Sequence, residues 1–229
     1  MRKFLITLAS ACLLTMPVLA EQSYFYDWYD SSADYLGCFG FDLVAQVTAA
    51  ADYPEIRKDA NGGSREDCGL ELVKNTSLAD GVALGFLATV WNLQEGDQVT
   101  ASIWRYDPYS GMPYFRLWAH YNDALVQASD ARGQDMEAYD GNCQGNNSFG
   151  LQNGWEYFEH TWTIEAGHTG LVIDAAIFGD LYATVYVDDF WIWVPDHADV
   201  RLPDAVYSSG GEVTPVEAAT WTSVKAIFQ

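Results

Sequence analysis

The sequence predicts an all-β fold, a sandwich or barrel of short strands closed by a short C-terminal helical tail. Three observations predict it. Stretches of alternating apolar and polar residues recur from 68 to 194, separated by Gly, Asn, Asp and Pro turn signals. No long helical periodicity occurs between 36 and 194. The chain also carries 9 Trp, 14 Tyr and 11 Phe, too much apolar surface to leave in water despite the strong acidity.

The elements follow in order. Arg2 and Lys3, an apolar run from Phe4 to Leu14, and small residues up to Ala20 have the layout of a secretory leader cut after residue 20. That run is too short to span a bilayer comfortably, and no later segment is longer or more apolar. Expected organisation is therefore a leader (1–20), a strand domain (21–195), a linker (196–213) and a helical tail (214–229). The tail opens with Thr214-Pro215-Val216-Glu217, a capping box with proline at the first helical position.

Within the domain, 24–36 is a lead-in and 36–48 holds a strand. Residues 52–67 read as a polar loop with a tight turn at Asn61-Gly62-Gly63. Strands are expected at 68–73, 82–91, 99–106, 114–121, 155–164, 169–178 and 183–194. Residues 107–113 read as a long hairpin loop, and 127–154 as the least ordered stretch.

Charge narrows the partners. The full chain carries 11 Lys+Arg against 32 Asp+Glu, net −21. Removing the leader takes away two cations and no acids. Such a surface repels nucleic acid and anionic membranes and suits divalent cations or neutral ligands. Adaptation of the surface to salt is the plain alternative. Export to a bacterial periplasm, cell surface or medium is expected, with no membrane insertion. Outside the leader, Cys38, Cys68 and Cys143 remain. One disulfide and one free thiol is the simplest count in an oxidising compartment. The pairing is open from sequence, with Cys38–Cys68 favoured because both sit in early strand segments.

Catalytic signatures are absent from the sequence. A glycosidase needs two carboxylates about 5–10 Å apart across a cleft. The acids Glu156 and Glu159 fall on opposite strand faces. There is no Gly-x-Ser-x-Gly elbow and no phosphate-cradling loop. The expectation is a non-enzyme.

Two features stand out instead. Trp104, Tyr106, Tyr114, Arg116, Trp118 and His120 share one parity within their strands. With Val99, Ala101, Ile103, Phe115, Leu117 and Ala119 turned to the core, they form an outward aromatic face with polar arms. Sugar rings stack their C–H groups on such rings, while their hydroxyls meet the arms. The competing expectation is that these rings fill the core. Second, Asp188-Asp189 interrupts an apolar strand, so alternation should turn one acid inward. A buried carboxylate needs a partner or a metal, and calcium suits an exported acidic chain. The competing expectation is an edge strand with both acids solvated.

The order of motifs carries a resemblance. Gly-Gly-Ser-Arg leads into an amphipathic strand (62–73), Leu-x-x-Gly-Asp-x-Val-x-Ala follows (93–101), then Trp155, Tyr157 and Trp162, then Val-Tyr-Val-Asp-Asp-Phe (185–190). Over roughly 35–195 this resembles the galactose-binding-like jelly roll, in the style of carbohydrate-binding modules of families 4, 9 and 22. The resemblance implies a two-sheet jelly-roll sandwich, a glycan or polysaccharide partner, and a structural Ca2+ held by Asp188 or Asp189 with groups near Asn61, Gly63 and Ser64. The 127–154 insertion and the lack of an attached catalytic domain depart from that pattern. A structural protein of the cell envelope with the same fold is the alternative, its C-terminal tail docking a surface partner.

Overall fold

The computed structural model describes residues 21–28, 37–42, 47–48, 55–59, 69–74, 81–107, 114–123, 140–148, 154–178, 183–203 and 205–207. Among them every regular element is a strand. These are β1 (Glu21–Tyr26), β2 (Gly37–Asp42), β3 (Val47–Thr48), β4 (Glu55–Asp59), β5 (Gly69–Val73), β6 (Gly81–Trp91) and β7 (Gln98–Asp107). Then come β8 (Tyr114–Tyr121), β9 (Gly141–Ser148), β10 (Gly154–Thr163), β11 (Leu171–Phe178), β12 (Thr184–Pro195), β13 (Asp199–Leu202) and β14 (Ala205–Tyr207).

They form two antiparallel sheets. The first runs β10-β7-β12-β5-β4, with β1 also on β12. The second runs β14-β13-β6-β11-β8-β9, with β2 on β6 and β3 on β2. Successive strands cross repeatedly between sheets, which is the jelly-roll way of covering one core from both sides. The expected two-sheet sandwich is what the structure has.

Alternation explains the core. Val99, Ala101 and Ile103 of β7 are fully buried, as are Phe115 and Leu117 of β8 and Leu171, Ile173 and Ala175 of β11. The Phe115 and Phe158 rings meet edge to face at 5.1 Å across the sandwich. Each of the larger of these, Val, Leu, Ile or Phe, contributes about 1.5–3 kcal/mol by leaving water.

Several expectations need correction. β7 and β8 do not pair as the expected hairpin: β7 lies in the first sheet and β8 in the second. Their alternation is the same in either arrangement, which is why parity could not distinguish them. The stretch 52–67 contains β4, and 127–154 contains β9. Both are edge strands held by backbone pairing to one neighbour, which requires little apolar patterning. The region expected as a linker (196–213) carries β13 and β14, which extend the second sheet. There Val200 and Leu202 alternate with Arg201 and are buried. The leader and the helical tail lie outside the described residues.

Strand β9 is tied in twice. The Trp162 indole N–H donates to the Gln144 carbonyl at 2.7 Å, linking the two sheets. Gly145 faces Trp118 across the β8–β9 ladder, and a Cβ there would stand 2.1 Å from the Leu117 carbonyl oxygen. Gly145→Ala should therefore destabilise the fold by about 1–3 kcal/mol, the usual range for overpacking. Urea unfolding would show this; an unchanged midpoint would mean that β9 is free to move away.

Candidate functional site: a buried acid among aromatic and cationic side chains

The outward face of the second sheet is built on β6, β11 and β8. In register, Asp174 lies between Phe86 on one side and Trp118 on the other. Arg116 and His120 flank Trp118 along β8. The ladder shifts between Ile173 and Asp174, where β6 carries one extra residue, Leu87. Such bulges re-aim side chains next to functional positions.

The geometry is specific. The His120 Nδ1 lies 3.4 Å from Asp174 Oδ2. The His120 ring packs on Phe86 at 5.7 Å. The Arg116 guanidinium sits 4.1 Å above the Trp118 ring, a cation–π contact. Asp174 is only 1% exposed and His120 6%, while Arg116 and Trp118 are half-buried. The acid and histidine form the floor, the arginine and indole the rim. Asp174 Oδ1 is buried with no hydrogen-bond partner among the described residues. A carboxylate oxygen left so is expensive to bury, and such expense clusters at binding sites.

Burial also sets the protonation behaviour. It pushes the Asp174 carboxyl above its ordinary value, against the opposing pull of His120 and Arg116. It lowers Arg116, which Asp174 partly restores.

The structure divides the residues expected from sequence. Arg116, Trp118 and His120 come together, with Tyr114 opening the same strand at the same parity. Trp104 and Tyr106 also point away from the core, as expected, but from β7 in the other sheet, so they lie on the opposite outer face. One site of six side chains is therefore two groups on two faces.

On that first-sheet face, Trp104 contacts Tyr157 with ring centroids at 5.5 Å, and Tyr106 contacts Trp155 at 5.4 Å and Tyr186 at 6.2 Å. Further along, Trp191 packs on Phe25 at 4.6 Å. Sequence reasoning missed Asp174, Phe86 and these partner rings. A signal for Asp174 was present: it is the one charge in the apolar run Leu171–Phe178.

The candidate metal residues are placed in part. Asp188 and Asp189 are both buried, at 2% and 6% exposed, and with Val187 and Phe190 in the core on either side they do not follow the expected one-in, one-out alternation. The reason is a bulge: the β12–β7 ladder skips a residue between Asp188 and Trp191, and Asp189 has φ of 51°. Asp tolerates this left-handed backbone better than most residues. Asn61, Gly63 and Ser64 lie outside the described residues, and among the described residues no cluster of three or more His, Cys, Asp or Glu could hold a metal. Of the cysteines, Cys68 and the Cys38 side chain lie outside the described residues. Cys143 is a free thiol, pushed up to about 12 chiefly by burial.

Neither a protein-family model nor a curated protein matches the chain. Among solved structures, it is similar to the CBM22-1–GH10 modules of Clostridium thermocellum endo-1,4-beta-D-xylanase 10B complexed with xylohexaose. That match has 12% identity and a TM-score of 0.48, and covers 76% of this chain and 28% of that one. It is also similar to the CBM22-1 xylan-binding domain of Paenibacillus barcinonensis Xyn10C (14% identity, 82% and 95% covered, TM-score 0.45). A third is the adhesin domain K1 of Lys-gingipain from Porphyromonas gingivalis (9% identity, 74% and 96% covered, TM-score 0.40). Carbohydrate-binding modules are thus among the proteins this chain is similar to, the class that its motif order resembles. The chain spans just over a quarter of the xylanase fragment.

The raised Asp174 carboxyl has a consequence for stability. A carboxyl that holds its proton more tightly in the fold than when unfolded costs stability as pH rises from the ordinary value, 3.8, through the raised one. Asp174→Asn removes that loss. The variant should unfold at higher urea than the parent at neutral pH and converge with it below the ordinary carboxyl value. An offset that does not change with pH would contradict this.

Proposed function

We propose that the chain is an exported, non-catalytic carbohydrate-binding module that holds a neutral glycan over Arg116, Trp118, His120 and Asp174. The observation that carries this reading is the buried Asp174 carboxyl, aimed out of the sheet beside an indole face. A sugar brings what the cluster lacks. Its hydroxyls can donate to Asp174 Oδ1 and accept from Arg116, while its C–H face stacks on Trp118. The charge beside the acid is the Arg116 guanidinium and not a second carboxylate, which suits holding hydroxyls rather than the paired carboxylates of glycoside hydrolysis. The net charge of −21 favours a neutral ligand over an anionic one. Export rests on the N-terminal leader pattern.

Loss of the stacking surface should abolish retention. In affinity electrophoresis against hydroxyethylcellulose, xylan and galactomannan, Trp118→Ala should cut retention on the bound polysaccharide at least about tenfold, the loss of one good aromatic contact. Circular dichroism should show the fold unchanged. Arg116→Ala, which keeps the ring, should weaken binding less. Unchanged retention in Trp118→Ala would refute this site.

A structural calcium belongs to the same reading. Asp188 and Asp189 supply hard oxygen donors in a buried bulge, chemistry that fits Ca2+. The ion would add positive charge beside two enclosed carboxylates. A ligand at a hundred times its Kd adds about 2.7 kcal/mol. Chelation should therefore lower the melting temperature, and added Ca2+ should restore it where Mg2+ does not. A melting curve indifferent to chelator would remove calcium from the account.

A further inference from the structure

The first sheet's outer face is too organised to be incidental. Trp155, Tyr106 and Tyr186 are cross-strand partners on β10, β7 and β12, so they form a row running across the strands. Their centroids are 5.4 and 6.2 Å apart. Tyr157 and Trp104 begin a second row, one step along the same strands, at 5.5 Å. These rings are half-exposed, and Tyr157 is 43% exposed, the one exposed large hydrophobic side chain among the described residues. An extended ligand lying across the strands would meet a new ring at roughly each strand spacing, about 4.8 Å.

Acceptors stand beside the rings. The Tyr157 hydroxyl donates to Glu159 Oε2 at 2.7 Å, and the Tyr186 hydroxyl to Glu71 Oε1 at 3.2 Å. Burial and the neighbouring Glu159 push the Tyr157 phenol up to about 12, so it stays a donor. The face thus offers ring surfaces framed by hydroxyls and carboxylates.

We infer that this face is a second glycan-binding surface, back to back with the Asp174 site, which makes the molecule bivalent. The inference takes its ligand class from the proposed function but stands on different residues. Charge selects the occupant. The exposed Glu159 stands beside the rings, and the chain as a whole is strongly acidic. A second copy would set acid against acid, and an anionic lipid or nucleic acid would be repelled. A neutral polyhydroxylated chain has C–H faces for the rings and hydroxyl donors for the carboxylates. Two faces on opposite sides of a sandwich can engage two polymer strands, and linking two sites raises apparent affinity by about a hundredfold or more without new contacts.

The experiment compares the parent, Trp118→Ala, the double variant Trp155→Ala/Tyr157→Ala, and all three changes combined. Each is checked for fold by circular dichroism. Titration calorimetry with soluble oligosaccharides of the retained polysaccharide reads stoichiometry, and affinity electrophoresis reads retention. The inference predicts two oligosaccharides per parent chain and one for either face variant. Retention should fall at least tenfold in each variant and vanish in the combined one. A stoichiometry of one, lost in Trp118→Ala and unaffected in the double variant, overturns the second face and leaves the first standing. A stoichiometry of one with the opposite pattern overturns both readings. Two further results overturn the inference by assigning the face elsewhere. One is a concentration-dependent dimer that the double variant dissolves, which gives it to a second copy. The other is glycan retention by this face that emerges only on deleting 214–229, which gives it to the chain's own tail.

Discussion

The interlock between two inward-facing sets of side chains governs this molecule. Val99, Ala101 and Ile103 of one sheet and Phe115, Leu117 and Ala119 of the other are essentially removed from water. In a strand, choosing the inner residues chooses the outer ones. This inner set brings no polar side-chain atom into the interior, whereas the other parity would enclose the Arg116 guanidinium, the His120 imidazole and the polar tips of Trp104, Tyr106 and Trp118. The apolar set therefore takes the interior. Trp104, Tyr106, Arg116 and Trp118 are left outside, on two faces separated by the whole core.

Irregularity appears where the acids are. Three ladders shift register: one beside Asp174, one at Asp188–Asp189, and the β8–β9 ladder between Ala119 and His120. In the first, the extra residue is Leu87 on β6, while β11 alternates regularly and turns Asp174 outward between Phe86 and Trp118. In the second, Asp189 in a left-handed conformation resets β12, so Val185 and Val187 point inward before it and Phe190, Ile192 and Val194 after it. Simple parity places Asp174, whereas a regular β12 would have set Asp188 and Asp189 on opposite faces. All three carboxylates are buried, a cost that functional sites commonly carry.

Much of this was legible in the chain. The strand positions from 68 to 194 other than β9 followed from alternation and turn residues, and the inward parity of β7 and β8 was read correctly. Sheet membership was not legible, because an outward ring has the same parity whichever sheet holds its strand. That ambiguity merged Trp104 and Tyr106 with Arg116, Trp118 and His120. Edge strands were also hidden: β4 and β9 need one paired neighbour and little apolar surface, so Gly-Asn-Cys-Gln-Gly-Asn-Asn-Ser read as loop. The β12 bulge did leave a trace. The apolar residues Val185, Val187, Phe190, Ile192 and Val194 change from odd to even numbers at the Asp-Asp pair, and only an inserted residue keeps both sets on one face.

The central claim is that indoles outside the core, not those within it, meet the ligand. Trp118 and Trp155 are half-exposed, whereas Trp28 is fully buried and Trp162 is 3% exposed. Fluorine NMR of the 5-fluorotryptophan protein, titrated with a neutral oligosaccharide, tests this directly. The account predicts that the Trp118 and Trp155 resonances move while those of Trp28 and Trp162 stay fixed. Movement confined to Trp28 and Trp162, with Trp118 and Trp155 silent, would contradict it.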